Sequence, residues 1–87
     1  MEMEHYTTRM SPTVFKQGPY RFFFFSREEP RPHVHVDCAD GEAKFWLVPV
    51  SLAYNKGLSR KQVNELQKLI EERWHEIHQA WHEHFSG

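Results

Sequence analysis

His33-Val34-His35 is the most chemically suggestive spacing in the chain. Two histidines at i and i+2 on a strand point to one side, roughly 7 Å apart. That separation suits two ligands of one zinc ion, and with it a metal-dependent hydrolase or nuclease. A third ligand is scarce. Asp37 lies on the same side but is expected to be engaged by Lys44, so only Glu28 or Glu29 could swing in from the preceding loop. Without that ligand, His33 and His35 read as part of a polar interface or as solvated strand residues. A second set is Glu71, His75, His78 and His82. On a helix these form a narrow stripe at i, i+3 and i, i+4 spacing, which can also hold a metal. The local order is His75-Glu76-Ile77-His78, so the His-Glu-x-x-His pattern of metalloproteases is absent. A solvated helix flank is the plainer account and the favoured one. His84 falls on the apolar flank and is expected to pack or to cap the helix end.

The third constellation is a sheet face: Phe23, Phe25, His33, His35, Lys44 and Trp46. Aromatic rings with a few polar groups can stack single-stranded bases, as some sheet-based RNA binders do. The same residue types also make the core of a protein interface. A net charge of -1 leaves little for phosphate binding and favours a protein partner. Nothing in the chain supplies a nucleophile–base pair, a phosphate loop or paired carboxylates, which points away from an enzyme.

The elements that must position these residues can be read from pattern. Thr13 to Gln17 and Tyr20 to Ser26 form a hairpin around Gly18-Pro19, with Lys16 opposite Arg21, Phe15 opposite Phe22 and Val14 opposite Phe23. Alternation separates Phe22 and Phe24 from Phe23 and Phe25. Phe15, Phe22 and Phe24 are expected in the core, because Lys16 and Arg21 share the other side. Pro30 and Pro32 make the next segment a loop. His33 to Cys38 and Glu42 to Leu47 form a second hairpin, which Asp40-Gly41 is expected to close. That register sets Val34, Val36, Cys38, Ala43, Phe45 and Leu47 on one face. Asp37 is then opposite Lys44.

Val48 to Gly57 reads as a crossover, with one helical turn from Pro49. Ser59 and Gln62 form a capping box, and Leu58 and Val63 stand at the staple positions. From there Val63, Leu66, Ile70, Trp74, Ile77, Trp81 and Phe85 recur at helical spacing. One helix carrying that stripe would run roughly 39 Å. Strands of about 20 Å would leave its end, with Trp81 and Phe85, to be covered by Val48 to Gly57 or a second chain. The expected fold is therefore α+β in two layers, a four-stranded antiparallel meander on one long C-terminal helix, with a short extra helix before it.

Eighty-seven residues, 39% hydrophobic and 26% charged, suit one soluble domain over residues 12–87 with a flexible tail over 1–11. Met10-Ser11-Pro12 reads equally as a start, which would make the first nine residues an upstream extension. No apolar run approaches a membrane span, and a single cysteine suits a reducing cytoplasm. So small a core makes a homodimer or a partner protein an expectation.

The order PTVF, GPYRFFFFS, PHVHV, GEAKFWL, a Gly-Leu-Ser helix entry and AWHEHF resembles a bacterial family, domain of unknown function 4160, over residues 11–87. The resemblance implies a short cytoplasmic protein with no established activity. It also marks His33 and His35, but not the helix histidines, as characteristic. Genes of that family often lie beside those of another small family, domain of unknown function 2442, in an arrangement similar to a toxin–antitoxin pair. The adjacent gene product is then the expected partner.

Overall fold

The structure is a computed structural model and describes residues 13–25 and 30–85. The expected tail over residues 1–11 lies outside the described residues, as do Glu28 and Glu29. Five strands follow one another, β1 (Thr13–Gln17), β2 (Tyr20–Phe23), β3 (His33–Cys38), β4 (Gly41–Leu47) and β5 (Val50–Lys56). They pair antiparallel in sequence order, and two helices follow, α1 (Arg60–Glu72) and α2 (Trp74–Phe85). The fold is α+β, as expected, with one strand more and the single long helix divided.

The first hairpin has the expected turn. Gln17 pairs with Tyr20 across Gly18-Pro19, and Gly18 holds φ at +58°, which a residue with a Cβ rarely adopts. Lys16 opposes Arg21 and Phe15 opposes Phe22, but Phe23 opposes Thr13, because Val14 bulges out of the ladder.

The second hairpin corrects the expected register by two residues. Val34 pairs with Phe45, Val36 with Ala43 and Cys38 with Gly41, so the loop is Ala39-Asp40. A slip of two leaves every side chain on its expected face, because strands have a period of two. It does change the charge pairs. Asp37 lies opposite Glu42 rather than Lys44 and instead forms an ion pair with Arg21 at 3.2 Å. Gly41 is needed in β4, not in the turn. There the chain leaving β5 crosses so closely that a Cβ on Gly41 would collide with the Lys56 carbonyl.

The expected crossover with a helical turn at Pro49 is a strand instead. Val48-Pro49 is a two-residue loop containing a cis peptide bond, and Val50 pairs with Leu47. Its alternation is hidden in the sequence by a bulge. Leu52 opposes Phe45 and Tyr54 opposes Lys44, which places Leu52 and Tyr54 on opposite faces although they are two residues apart.

One face of the sheet carries the core. Phe22, Phe24, Val34, Val36, Phe45 and Leu47 are buried there beneath Leu66, Ile70, Ile77 and Trp81 of the helices. Leu58 and Val63 join that core, as staple residues should. The capping box forms as expected. Ser59 Oγ accepts from the Gln62 amide at 3.1 Å, and Gln62 Oε1 accepts from the Ser59 amide at 2.9 Å. Gln62 also donates to Asp40 at 2.9 Å, tying the helix start to the β3–β4 loop.

The helix breaks at Arg73, whose backbone leaves helical values (φ -108°, ψ 24°). No proline or glycine is present to cause this. Side-chain anchors hold the turn instead. The Trp74 indole donates to the Leu47 carbonyl at 2.6 Å. The Arg73 guanidinium lies 3.5 Å from the Phe15 ring centre and donates to Gln17 at 2.8 Å. With the direction reset there, Trp81 packs edge-on against Phe24 with ring centres 5.6 Å apart, and Phe85 lies 6.0 Å from Phe24. Within this chain the end of the apolar stripe is therefore covered by Phe24, just after β2, and not by residues 48–57.

Candidate functional site

The opposite, outer face of the sheet gathers the residues with chemical potential. Pairing places His33, His35 and Asp37 of β3 beside Glu42, Lys44 and Trp46 of β4. Arg21 and Phe23 of β2 flank them on one side, Tyr54 and Lys56 of β5 on the other. All six residues expected to form the interface, Phe23, Phe25, His33, His35, Lys44 and Trp46, are thus brought together. They are not equally open. Phe23 is only 4% exposed and His33 is fully buried, whereas Phe25 is 38% exposed.

The burial has identifiable neighbours. Arg21 lies over the Phe23 ring at 4.2 Å, and His35 stacks beside that ring with centres 5.5 Å apart. His33 sits at the rim where the two faces meet. Its ring is 5.1 Å from that of His35 on the outer face and 4.9 Å from that of Trp81, which belongs to α2. His33 Nδ1 is 2.6 Å from the Arg31 carbonyl oxygen, so that nitrogen carries the proton and donates. Trp46 is half-buried with Arg31 over its ring at 4.1 Å and Lys44 at 4.6 Å. Cations thus already lie over the Phe23 and Trp46 rings beside β3.

Between Phe25 and Tyr54 runs a shallow groove of about 140 Å³, with His35, Lys44, Glu42 and Phe23 in its walls and floor. Phe25 and Tyr54 are the exposed rings of this face, at 38% and 49%. Tyr54 and Lys56 did not figure in the expected site, because residues 48–57 did not read as a strand. The Val50-Ser51-Leu52 alternation and the β-favouring Val50 and Tyr54 were the signals for it, set against the strand-disfavouring Ala53, Asn55 and Lys56.

Among the described residues no group of three His, Cys, Asp or Glu side chains is placed to hold an ion, so His33 and His35 gain no third ligand there and Glu71, His75, His78 and His82 do not converge on one. On the helices, His82 lies 4.8 Å from His78 by ring centres, and His78 is stacked on Trp74 at 4.4 Å. Glu71 accepts from Gln67 at 3.4 Å. Burial, reinforced by His82 and His75 nearby, holds the His78 imidazole below its ordinary value. His84 is half-buried against Phe24, 5.7 Å away, as expected of a packed residue. Burial also raises the Tyr20 phenol on the inner side.

A family model described as a domain of unknown function (DUF4160) matches residues 20–82, from the start of β2 well into α2. The chain belongs to that family. The DUF4160 match therefore spans the outer face and its groove as well as most of the core. No curated protein and no solved structure matches the chain. No helix among the described residues is long and apolar enough to cross a membrane.

Proposed function

We propose that the chain is a protein-binding domain, one half of a two-gene, toxin–antitoxin-like pair, acting in the cytoplasm through the outer face of its sheet. The observation that carries this reading is an unbalanced, aromatic surface. Among the described residues, the outer face carries Lys16, Arg21, Arg31, Lys44 and Lys56 against Asp37 and Glu42, five cations to two anions on a chain whose net charge is -1. Exposed Phe25 and Tyr54 flank a groove in that surface, while both helices pack on the other face. Protein interfaces enrich aromatic residues and arginine, present here as Phe25, Tyr54, Arg21 and Arg31, and a groove between the exposed rings gives an anchor residue somewhere to insert.

A nucleic acid fits the same surface less well. Base stacking needs open ring faces, and Arg21, Arg31 and Lys44 already lie over Phe23 and Trp46. The test is titration calorimetry of the purified chain with the product of the adjacent gene. Binding is expected, and a Phe25→Ser, Tyr54→Ser double variant should weaken it roughly a hundredfold, the scale of losing two interface anchors. Both residues are exposed, so the fold should survive, which circular dichroism checks. No binding, or an unchanged affinity in a folded double variant, would contradict the reading.

A further inference from the structure

β5 is an edge strand whose one strand neighbour among the described residues is β4, and five of its seven residues, Leu52 to Lys56, are exposed. An edge presents a row of backbone donors and acceptors that another chain can pair with. The two edges of this sheet are treated differently. Both carry a bulge, but β1 is only five residues long, and Arg73 holds its Gln17 and Phe15 against the helix junction. β5 is seven residues long and is fixed near its ends. Gln67 donates to the Val50 carbonyl at 3.5 Å, and the Asn55 side chain both donates to and accepts from the Leu58 backbone at 3.0 and 3.1 Å. Between those anchors, Leu52 is 41% exposed towards the inner side and Tyr54 is 49% exposed towards the outer side.

Charge decides what can pair there. Val50–Lys56 contains one cation and no anion. A second copy added at β5 would extend the sheet with another outer face of the same sign, next to the first. An added strand with carboxylates on that side would instead meet Lys56 and, one strand further in, Lys44. Building on the protein-binding reading above, we infer that β5 accepts an extended segment of a different protein by strand addition. Its acidic side chains lie on the outer face beside Tyr54 and Lys56, and its alternate apolar side chains lie towards Leu52. Backbone bonds supply affinity in this mode, and the alternating side chains supply selectivity.

The probe is a synthetic peptide of alternating Glu and Val, about eight residues long, the length of an ordinary strand. Fluorescence anisotropy should show it binding the full chain, with affinity falling as salt is raised. Lys56→Glu should weaken it roughly tenfold, and N-methylation of alternate peptide amides should abolish binding. Equal binding of a Lys/Val peptide, unchanged binding of the N-methylated peptide, or no binding at all would overturn strand addition. Tighter binding of single-stranded DNA at the same salt would overturn it in favour of a nucleic-acid surface. The two readings separate cleanly. If the adjacent gene product binds, loses affinity in the Phe25→Ser, Tyr54→Ser variant, and is not displaced by the Glu/Val peptide, the face binds protein but β5 does not add a strand.

Discussion

Two single residues show how closely this small fold is set. Gly41 and Gly57 pass each other where β5 leaves the sheet, with Gly57 at φ +92°. Gly41→Ala should destabilise the chain by about 1–3 kcal/mol, read as a lower urea midpoint at unchanged slope, because backbone would have to move. In the sequence, Asp40-Gly41 signals a turn, since a close backbone approach leaves no local pattern to distinguish it from turn chemistry. His78 makes a different prediction. The folded chain holds this imidazole below its ordinary value of 6.5, so the unfolded chain takes up the proton first as pH falls. The contribution of His78 to stability is complete above that value and is lost as pH drops through it towards the folded value. Thermal melts should therefore show Tm falling from about pH 7.5 to about pH 5.5, with a shallower fall in His78→Gln. An identical slope in the variant would show that His78 is not the group responsible.

At the level of elements, the sequence was legible where the pattern is local and regular. The Ser59–Gln62 box, the Gly18 turn, and the apolar stripe from Val63 to Phe85 all follow from spacing and are all present. Ser59→Ala should cost about 1 kcal/mol by urea unfolding, the usual value of a lost N-cap. Elements governed by distant contacts were not legible. The stripe is continuous through Arg73, so the break there is invisible until Leu47, Phe15 and Gln17 are seen to hold Arg73 and Trp74. Trp74→Phe keeps an aromatic ring but removes both the N–H that donates to Leu47 and part of the surface on which His78 stacks, and should cost about 1–3 kcal/mol by urea unfolding. β5 was hidden for a similar reason. One bulge at Leu52 and Ala53 breaks the period of two that marks a strand, and Pro49 at its start suggests a helix instead.

For the whole molecule, the faces proved more robust than the register. A two-residue slip in the second hairpin left the core of Val34, Val36, Ala43, Phe45 and Leu47 where alternation had placed it. The outer aromatic set was legible for the same reason. Its depth was not, because the stacking of His35 beside Phe23 and the approach of Trp81 to His33 come from other elements. Nor was the place of Lys56, which β5 brings onto that face with Tyr54, alongside Glu42 and Lys44. The account therefore rests on one surface, the outer face with its β5 edge. Amide hydrogen exchange by mass spectrometry, on the chain alone and with the adjacent gene product, tests it most directly. Binding at this surface predicts new protection across Val50–Lys56 and little change in Arg60–Glu72 or Trp74–Phe85. Protection confined to the helices, with β5 exchanging as freely as before, would contradict it.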